Sequence, residues 1–308
     1  MDAPAPRSQP VPEGGVLALF GPTGVGKTAV AVAVARRLRE RGLHPVAVSA
    51  DALQLYAGLE ILTGAAGPQE RAQLDHRLLG FLPVDARCSA GEFARLAHVE
   101  IDGLLAQGAT PIVVGGTGLY LRAALADLDL KPPAPPELRA RLEAEVADRG
   151  APALHAELAR RAPWAAETIP PTDRQRIVRA LELDGIGALE PPPAQSQLWT
   201  AETRHPTRLV GLVMEREALY ERIEARVDAM LAAGVVEEVR AAHAAGASPS
   251  ARQALGFEEL LAGDVDAMKR HTRNYAKRQL TWMRKLPGAQ LVDATGREPD
   301  DVARELVG

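Results

Sequence analysis

The sequence predicts an α/β fold, in which helices flank a parallel sheet and an all-helical segment interrupts the chain. Short apolar runs typical of strands alternate with stretches of helical apolar spacing, and polar or glycine-rich turns follow three of those runs. Two proline-rich stretches enclose a charged helical segment, which indicates an insertion. Ligands of such folds bind at the carboxyl ends of the parallel strands.

Three strands are predicted in the first half of the chain. They are the apolar runs Val16–Phe20, His44–Ser49 and Pro111–Val114. Helical apolar spacing predicts helices over 29–38 and 92–107 between them. The turns after the three strands are therefore expected to meet at one edge of the sheet; they cover residues 21–28, 49–54 and 115–118.

The second half of the chain is predicted to leave the sheet and return to it. Proline-rich stretches at 131–136 and 190–193 enclose helical patterns, and the apolar run Thr207–Val213 then resembles another strand. A helix over 217–242, helices over 255–262 and 264–285, and a strand Gln290–Asp293 follow. The predicted domains are a disordered tail (1–14), a core (15–130 and 200–308) and a helical insertion (131–199).

Composition narrows the class of protein. Of 308 residues, 46% are hydrophobic and 25% charged, with a net charge of −4, so a nucleic-acid surface must be a local patch. The single cysteine, Cys88, excludes an internal disulfide framework and a cysteine metal cluster, and is expected to be a small buried residue in a reducing cytoplasm. No apolar run reaches the roughly 20 residues that span a bilayer. The Pro-rich start lacks the features of a signal peptide.

The stretch GPTGVGKT matches the phosphate-binding pattern G-x-x-x-x-G-K-[ST], with a strand before it and a helix after it. Its residues are Gly21, Pro22, Thr23, Gly24, Val25, Gly26, Lys27 and Thr28. Backbone N–H groups and the helix N-terminus form an anion site, Lys27 adds a positive charge, and the Thr28 hydroxyl suits a magnesium ion. The core is therefore predicted to resemble the P-loop NTPases. The motif is common to ATP- and nucleotide-binding proteins and does not identify the phosphate compound.

Asp51 is the acid that follows a predicted strand at this edge. The strand at 111–114 ends in Gly-Gly-Thr, without the metal-binding acid that nucleotide hydrolases usually carry. Asp51 is therefore the candidate for acid or base chemistry, but an aspartate here could equally cap the next turn. Thr117 has the same two interpretations, a site residue or a turn residue.

Two cationic segments indicate a polyanionic partner. Residues 268–285 hold seven cations and no acid, and Arg270, Arg273, Lys277 and Arg284 share one side at helical spacing. In a second segment Arg176 and Arg179 lie three residues apart beside Gln175. Either segment by itself could be a solvated helix face, and Glu182 could pair with Arg179. Together they favour a polyanion larger than a nucleotide.

These motifs, in this order, resemble the bacterial tRNA dimethylallyltransferases (tRNA isopentenyltransferases, the IPP transferase family). The resemblance runs from about Gly15 to Asp293. Besides the phosphate loop, it is carried by SADALQLY (49–56), HRLL (76–79), SAGEF (89–93), VVGGTGLY (113–120), DRQRIVRALE (173–182), QALGF (253–257) and YAKRQLTW (275–282).

The resemblance implies transfer of a dimethylallyl group from dimethylallyl diphosphate to N6 of adenosine 37, in tRNAs that carry A36-A37 and read codons beginning with U. The phosphate loop would hold the diphosphate, with Mg2+ on Thr28, and Asp51, Thr117 and Arg278 would be catalytic. The implied tRNA-binding residues are Asp51, Ala52, Leu53, Gln54, Thr117, Arg139, Gln175, Arg176, Ile177, Val178 and Arg179. The expected partners are tRNA and dimethylallyl diphosphate, and the protein is expected to be a cytoplasmic monomer without a membrane contact.

Some positions depart from the family pattern. Ala52 stands where a serine is usual, Leu59 where methionine is common, and the segment Thr63–Gly67 lacks a lysine that is often present. An arginine found near Gln253 in some members is here matched nearest by Arg252. Two other enzymes stay open: a transferase that prenylates free adenine nucleotides, which would not need the insertion, and a P-loop small-molecule kinase, which would need ATP selectivity and a set of lid arginines.

Overall fold

The computed structural model describes residues 11–191 and 197–308. Of the tail expected over 1–14, residues 1–10 lie outside the described part. The chain forms two compact units, of which the smaller is Asp129–Gln197 and the larger comprises the residues up to Leu128 and from Leu198 onward. No helix in the described ranges is long and apolar enough to cross a membrane.

The larger unit contains a six-stranded sheet in which every pairing is parallel. The strands are β1 (Val16–Phe20), β2 (Pro45–Ser49), β3 (His76–Arg77), β4 (Thr110–Gly115), β5 (Thr207–Val213) and β6 (Gln290–Asp293), in the order β3-β2-β4-β1-β5-β6. The predicted α/β class is confirmed. β3 was not predicted, because two residues are too short to show a pattern.

Helices cover the sheet. Those of the larger unit are α1 (Lys27–Glu40), α2 (Glu60–Thr63), α3 (Pro68–Gln73), α4 (Ala90–Ala106), α5 (Gly118–Leu125), α10 (Arg216–Ala232), α11 (Val235–Ala244), α12 (Phe257–Leu261), α13 (Val265–Met283) and α14 (Pro299–Val307). Those of the smaller unit are α6 (Pro136–Arg149), α7 (Ala151–Arg161), α8 (Pro163–Thr168) and α9 (Arg174–Gly185). The main core joins β1, β4 and β5 to α1 and α14 through buried Leu, Val and Ile side chains.

Local chemistry determines where individual helices begin. α4 begins with a capping box, since the Ser89 hydroxyl accepts the Glu92 N–H at 3.2 Å and the Glu92 carboxylate accepts the Ser89 N–H at 2.7 Å. Just before this helix, Cys88 is half-buried rather than buried as predicted. Burial raises the pKa of its thiol to about 11, so the thiol stays protonated at neutral pH.

The single helix predicted over 217–242 is wrong. The structure has two helices, α10 and α11, separated at Gly234, whose φ of 89° lies in the left-handed region that glycine tolerates. Apolar spacing continues across this glycine, so the pattern does not show the break. The break turns α11 toward α2, where the Glu238 carboxylate accepts the N–H groups of Ile61 and Leu62, each at 2.8 Å.

In the smaller unit the four helices pack around their own core. Leu154, Leu158 and Ile177 are fully buried there, with further leucine, valine and alanine side chains around them. Asp173 caps α9, because its Oδ1 accepts the Arg176 N–H at 3.1 Å. The core of the smaller unit is separate from the core that the sheet forms in the larger unit.

Candidate functional site

A cavity of about 370 Å³ lies in the larger unit where the phosphate loop, the turn after β2 and helices α10 and α13 meet. The loop lines it with Thr23, Gly24, Gly26, Lys27 and Thr28, and the turn lines it with Asp51, Leu53 and Gln54. The polar turns predicted at 21–28 and 49–54 therefore come together. A pocket with converging polar groups at the ends of parallel strands is a common ligand-site arrangement.

The phosphate loop has the backbone of an anion site. Gly24 and Gly26 adopt φ values of 85° and 97°, which other residues rarely adopt, and α1 begins directly at Lys27. The Lys27 ammonium donates to the carbonyls of Gly21 at 2.9 Å and Pro22 at 3.0 Å. The helix N-terminus and the ammonium thus give this end of the cavity a positive potential.

Burial lowers the pKa of Lys27 to about 8, with the Asp51 charge opposing this shift and the Arg226 charge adding to it. At a pH slightly above neutral, a lysine with this pKa is protonated in only part of the molecules. An anion bound beside it would restore the full charge, so the site favours an anionic ligand.

Asp51 caps the turn after β2 and also lies in the cavity, so its position is compatible with both interpretations of the sequence. Its Oδ1 accepts the Leu53 N–H at 3.0 Å, which caps the turn, and its carboxylate also lines the cavity. Burial lowers the pKa of Lys27 and of Arg226, and the negative charge of Asp51 acts on both groups in the opposite direction. A carboxylate therefore lies in the same cavity as the phosphate loop.

Two arginines of α10 line the cavity and were not predicted as site residues. Arg222 lies beside the phosphate loop, because a Cβ on Gly26 would be 3.1 Å from its guanidinium nitrogen. Arg226 lies one turn further and donates to the Thr63 carbonyl at 3.1 Å. Burial lowers the pKa of Arg226, and Asp51 opposes this. Arg222 and Arg226 are four residues apart and therefore lie on one face of α10. This spacing is visible in the sequence and could have indicated them as site residues.

Arg278, predicted as catalytic, does not line the cavity. Its side chain is exposed, and its guanidinium carbon lies 5.5 Å from the centre of the Tyr275 ring. The inward face of α13 holds Tyr275 and Gln279, which are four residues apart. Arg278 is one residue before Gln279, and one residue rotates a side chain by about 100° around the helix, away from that face. Any contact of Arg278 with a ligand in this cavity requires a different side-chain conformation.

Tyr275 and Gln279 connect the phosphate loop to the turn after β4. The Thr117 hydroxyl and the Tyr275 phenol lie 2.8 Å apart, and burial together with the Asp51 charge raises the phenol pKa to about 12. The Gln279 amide accepts the Thr23 N–H at 2.8 Å and donates to the Gly116 carbonyl at 2.7 Å. Thr117 thus reaches the cavity through Tyr275. No local pattern distinguishes Gln279, because it lies among the cations of residues 268–285.

Gln279→Met is expected to lower the free energy of unfolding by about 1–3 kcal/mol, because the half-buried Thr23 N–H and the buried Gly116 carbonyl both lose their partner. Urea denaturation measures this change. Thr272→Val is the matched control on the same helix, since the Thr272 hydroxyl donates only to the Met268 carbonyl one turn back. Equal stability of the two variants would contradict the bridging role.

Several cations of the predicted basic segment are paired with acids. Lys269 contacts the carboxylates of Asp228 at 2.6 Å and Glu224 at 3.5 Å, and Arg273 contacts Glu224. Arg270 lies 3.9 Å from Asp264. Arg273, one of the cations predicted to share one side of this helix, is therefore paired, because α10 packs against α13 and supplies acids that the local sequence does not contain.

The arginines noted in the insertion also form ion pairs within the smaller unit. Glu182 is 1% exposed, and each of its carboxylate oxygens accepts one guanidinium N–H at 3.1 Å, from Arg139 and from Arg179. The Arg176 guanidinium donates to Asp173 at 2.7 Å and remains largely exposed. Ile177 and Val178, which the resemblance implies to bind tRNA, have their side chains buried in the core of the smaller unit.

Two further positions can be compared with the expectations. The Gln54 amide nitrogen donates to the carbonyls of Thr63 and Gly64, both at 3.4 Å. Its amide oxygen accepts the Ser49 hydroxyl at 3.1 Å. Gln54 therefore lines the cavity in a defined orientation. Arg252 pairs with Glu258 at 2.8 Å and does not line the cavity. In the described part of the chain, no group of three or more His, Cys, Asp or Glu side chains could hold a metal ion.

The comparisons with known proteins show the family of this chain. The family model described as IPP transferase matches residues 54–286, and one described as isopentenyl transferase matches residues 14–81. The chain is 44% identical to a tRNA dimethylallyltransferase of Thermobifida fusca, over 88% of each chain, and 40% identical to one of Kineococcus radiotolerans, over 95% of each. It is also similar to the crystal structure of a Bacillus halodurans tRNA isopentenylpyrophosphate transferase, with 32% identity, a TM-score of 0.68, and 95% and 94% of the two chains covered. The resemblance seen in the motifs is confirmed, and the chain belongs to the IPP transferase family.

Proposed function

We propose that this protein is a tRNA dimethylallyltransferase, which transfers the dimethylallyl group of dimethylallyl diphosphate to N6 of adenosine 37 and releases diphosphate. The observation that carries the proposal is one cavity in which a phosphate loop, two arginines and the Asp51 carboxylate converge. The names of the relatives supply the reaction, and this cavity has the groups that the reaction needs.

The diphosphate is proposed to bind at the phosphate loop. The loop N–H groups and Lys27 would contact its oxygens, and Arg222 and Arg226, which line the same cavity, would add positive charge. The bond between C1 of the allyl group and the diphosphate oxygen breaks with its electron pair on the oxygen. Negative charge therefore develops on the leaving group. Fixed cations and N–H groups stabilise that charge most, because they need no reorganisation.

A magnesium ion fits this end of the cavity only together with the substrate. The Thr28 hydroxyl is the protein group available from the loop, and an ion there would take its other ligands from phosphate oxygens and water, as magnesium commonly does with phosphate substrates. Such an ion would add charge neutralisation to the departing diphosphate. Thr28 is proposed as the residue that contacts it.

The acceptor is proposed to be the exocyclic amine of adenosine 37. This amine is a weak nucleophile, and as its bond to C1 forms it must lose a proton. Asp51 is proposed to orient the amine and accept that proton. Thr117, held by Tyr275, and Gln54 would contact the adenine or its neighbours. A base inside a stacked loop cannot reach a cavity, so the nucleotide must be flipped out.

The smaller unit is proposed to bind the anticodon stem-loop. Arg176 is exposed at the start of α9, next to Gln175, and the side chains of Arg139 and Arg179 are partly exposed. Ala52 and Leu53, on the turn that carries Asp51, would contact the flipped nucleotide. The preferred tRNAs carry A36-A37, and we propose a monomeric enzyme acting in the cytoplasm, where tRNA is modified.

The deciding experiment incubates the protein with magnesium, labelled dimethylallyl diphosphate and one acceptor at a time. The acceptors are an unmodified anticodon stem-loop carrying A36-A37, the same RNA with G37, and AMP. Label is expected in the first alone, and the G37 RNA is the matched control. Label in AMP at a comparable rate would instead indicate a free-nucleotide transferase. Phosphate transfer from ATP, with no label in RNA, would indicate a kinase.

A further inference from the structure

The cavity changes from charged to apolar along its length. The phosphate loop, Lys27 and Arg222 lie at one end. The other end is formed by a buried apolar cluster, of which Leu62, Val227, Met230 and Met268 line the cavity; Leu255 lines the cavity as well. Resting on the proposed function, we propose that Met230 and Met268 close this apolar end and restrict the donor to a single five-carbon isoprene unit.

Two helices show which end is which. On α10, Arg222 lies beside Gly26 of the phosphate loop, and Met230 follows eight residues later, about 12 Å further along the helix axis. On α13, Gln279 binds the Thr23 N–H, and Met268 lies eleven residues away, about 16 Å along that axis. Both helices therefore run from the phosphate loop to a methionine.

The spacing on α13 points all of these side chains into one cavity. Met268, Thr272, Tyr275 and Gln279 follow the i, i+4, i+7, i+11 spacing of a single helix face, and each of them lines the cavity. Tyr275 lies between Gln279 and Met268 on this face of α13, and Asp51 lines the same cavity. A donor with its diphosphate at the loop would therefore extend its hydrocarbon chain toward the methionines.

The side chain of Met268 packs against the main chain at Gly256. It is 2% exposed, and a Cβ on Gly256 would lie 2.7 Å from both its sulfur and its terminal methyl carbon. Gly256 has a φ of 95° and precedes α12, so the main chain itself forms the wall behind the methionine. The main chain at Gly256 therefore blocks movement of the thioether on that side, and a second isoprene unit needs the volume that the thioether occupies.

The test compares donors in wild type, Met268→Ala and Met230→Ala, with dimethylallyl or geranyl diphosphate and the anticodon stem-loop. Both variants are expected to raise the ratio of kcat/KM for geranyl to that for dimethylallyl diphosphate by about tenfold or more, because one methylene can already change such a ratio tenfold. Met283→Ala is the matched control. Met283 lies on the same helix, is also 2% exposed, and packs on Gly211 of β5 outside the cavity.

Binding calorimetry with the two diphosphates, without RNA, gives a reading that does not need catalysis. Met268→Ala is expected to bind geranyl diphosphate at least tenfold more tightly than wild type does. An unchanged donor ratio in both folded variants overturns the inference, as does a rise in the KM of the RNA with no change in donor preference, since the apolar end would then hold the base. If wild type binds both diphosphates but transfers neither, the proposed function fails, and the calorimetric comparison still decides the inference.

Discussion

Asp51→Asn is expected to lower kcat for prenyl transfer by about a hundredfold to ten-thousandfold, the range that a positioned general base contributes. The carboxamide has nearly the shape of the carboxylate, and its oxygen can still accept the Leu53 N–H, so the turn should persist. It cannot accept the amine proton at neutral pH. The KM for the stem-loop RNA is therefore expected to stay within a few-fold of wild type, and single-turnover kinetics with saturating donor measures the chemical step.

Asp293→Asn is the matched control for this variant. Asp293 also lies at the carboxyl end of a strand, and its Oδ1 accepts an N–H two residues on, from Thr295 at 2.9 Å, but it does not line the cavity. It should keep wild-type kcat. If Asp51→Asn keeps a rate close to that of this control, Asp51 only caps its turn and another group accepts the proton.

Lys27→Met is expected to lower kcat/KM for the diphosphate donor by about a hundredfold to a thousandfold, as removal of one fixed donor to a developing oxyanion does. Methionine keeps the length and apolar stem of the side chain but removes the charge. The helix N-terminus and the loop N–H groups remain, so weak diphosphate binding should persist. Lys269→Met removes a lysine charge that Asp228 and Glu224 already neutralise, and it should change the same constant only a few-fold.

The pH dependence gives this prediction a second reading. Because burial lowers the pKa of Lys27 to about 8, the free protein carries the ammonium below that pH and loses it above. The value of kcat/KM for the donor, which reports free-enzyme ionisations, should therefore fall as pH rises through about 8. In Lys27→Met that descending limb should be absent. A limb of equal midpoint in the variant would assign the ionisation to a different group.

The sequence alone determined the features whose physical cause is local. β1, β5 and β6 have the bounds predicted from their apolar runs, since a buried strand needs only a short continuous apolar segment. The phosphate loop was predicted because its anion site is built from consecutive backbone groups and one glycine pattern. Asp51 was found because strand ends of a parallel sheet meet at one edge, so position along the chain already implied position in the cavity.

The tertiary structure alone decided the features that depend on which distant segments pack together. Arg222, Arg226 and Gln279 enter the cavity because α10 and α13 lie against the phosphate loop, from which they are far removed in sequence. The same packing pairs Arg273 with Glu224, while the core of the smaller unit buries Ile177. The break at Gly234 was hidden because apolar spacing continues across it. A residue type fixes what chemistry a side chain can do, but its neighbours decide whether its charge is free, paired or buried, and neighbours come from the whole chain.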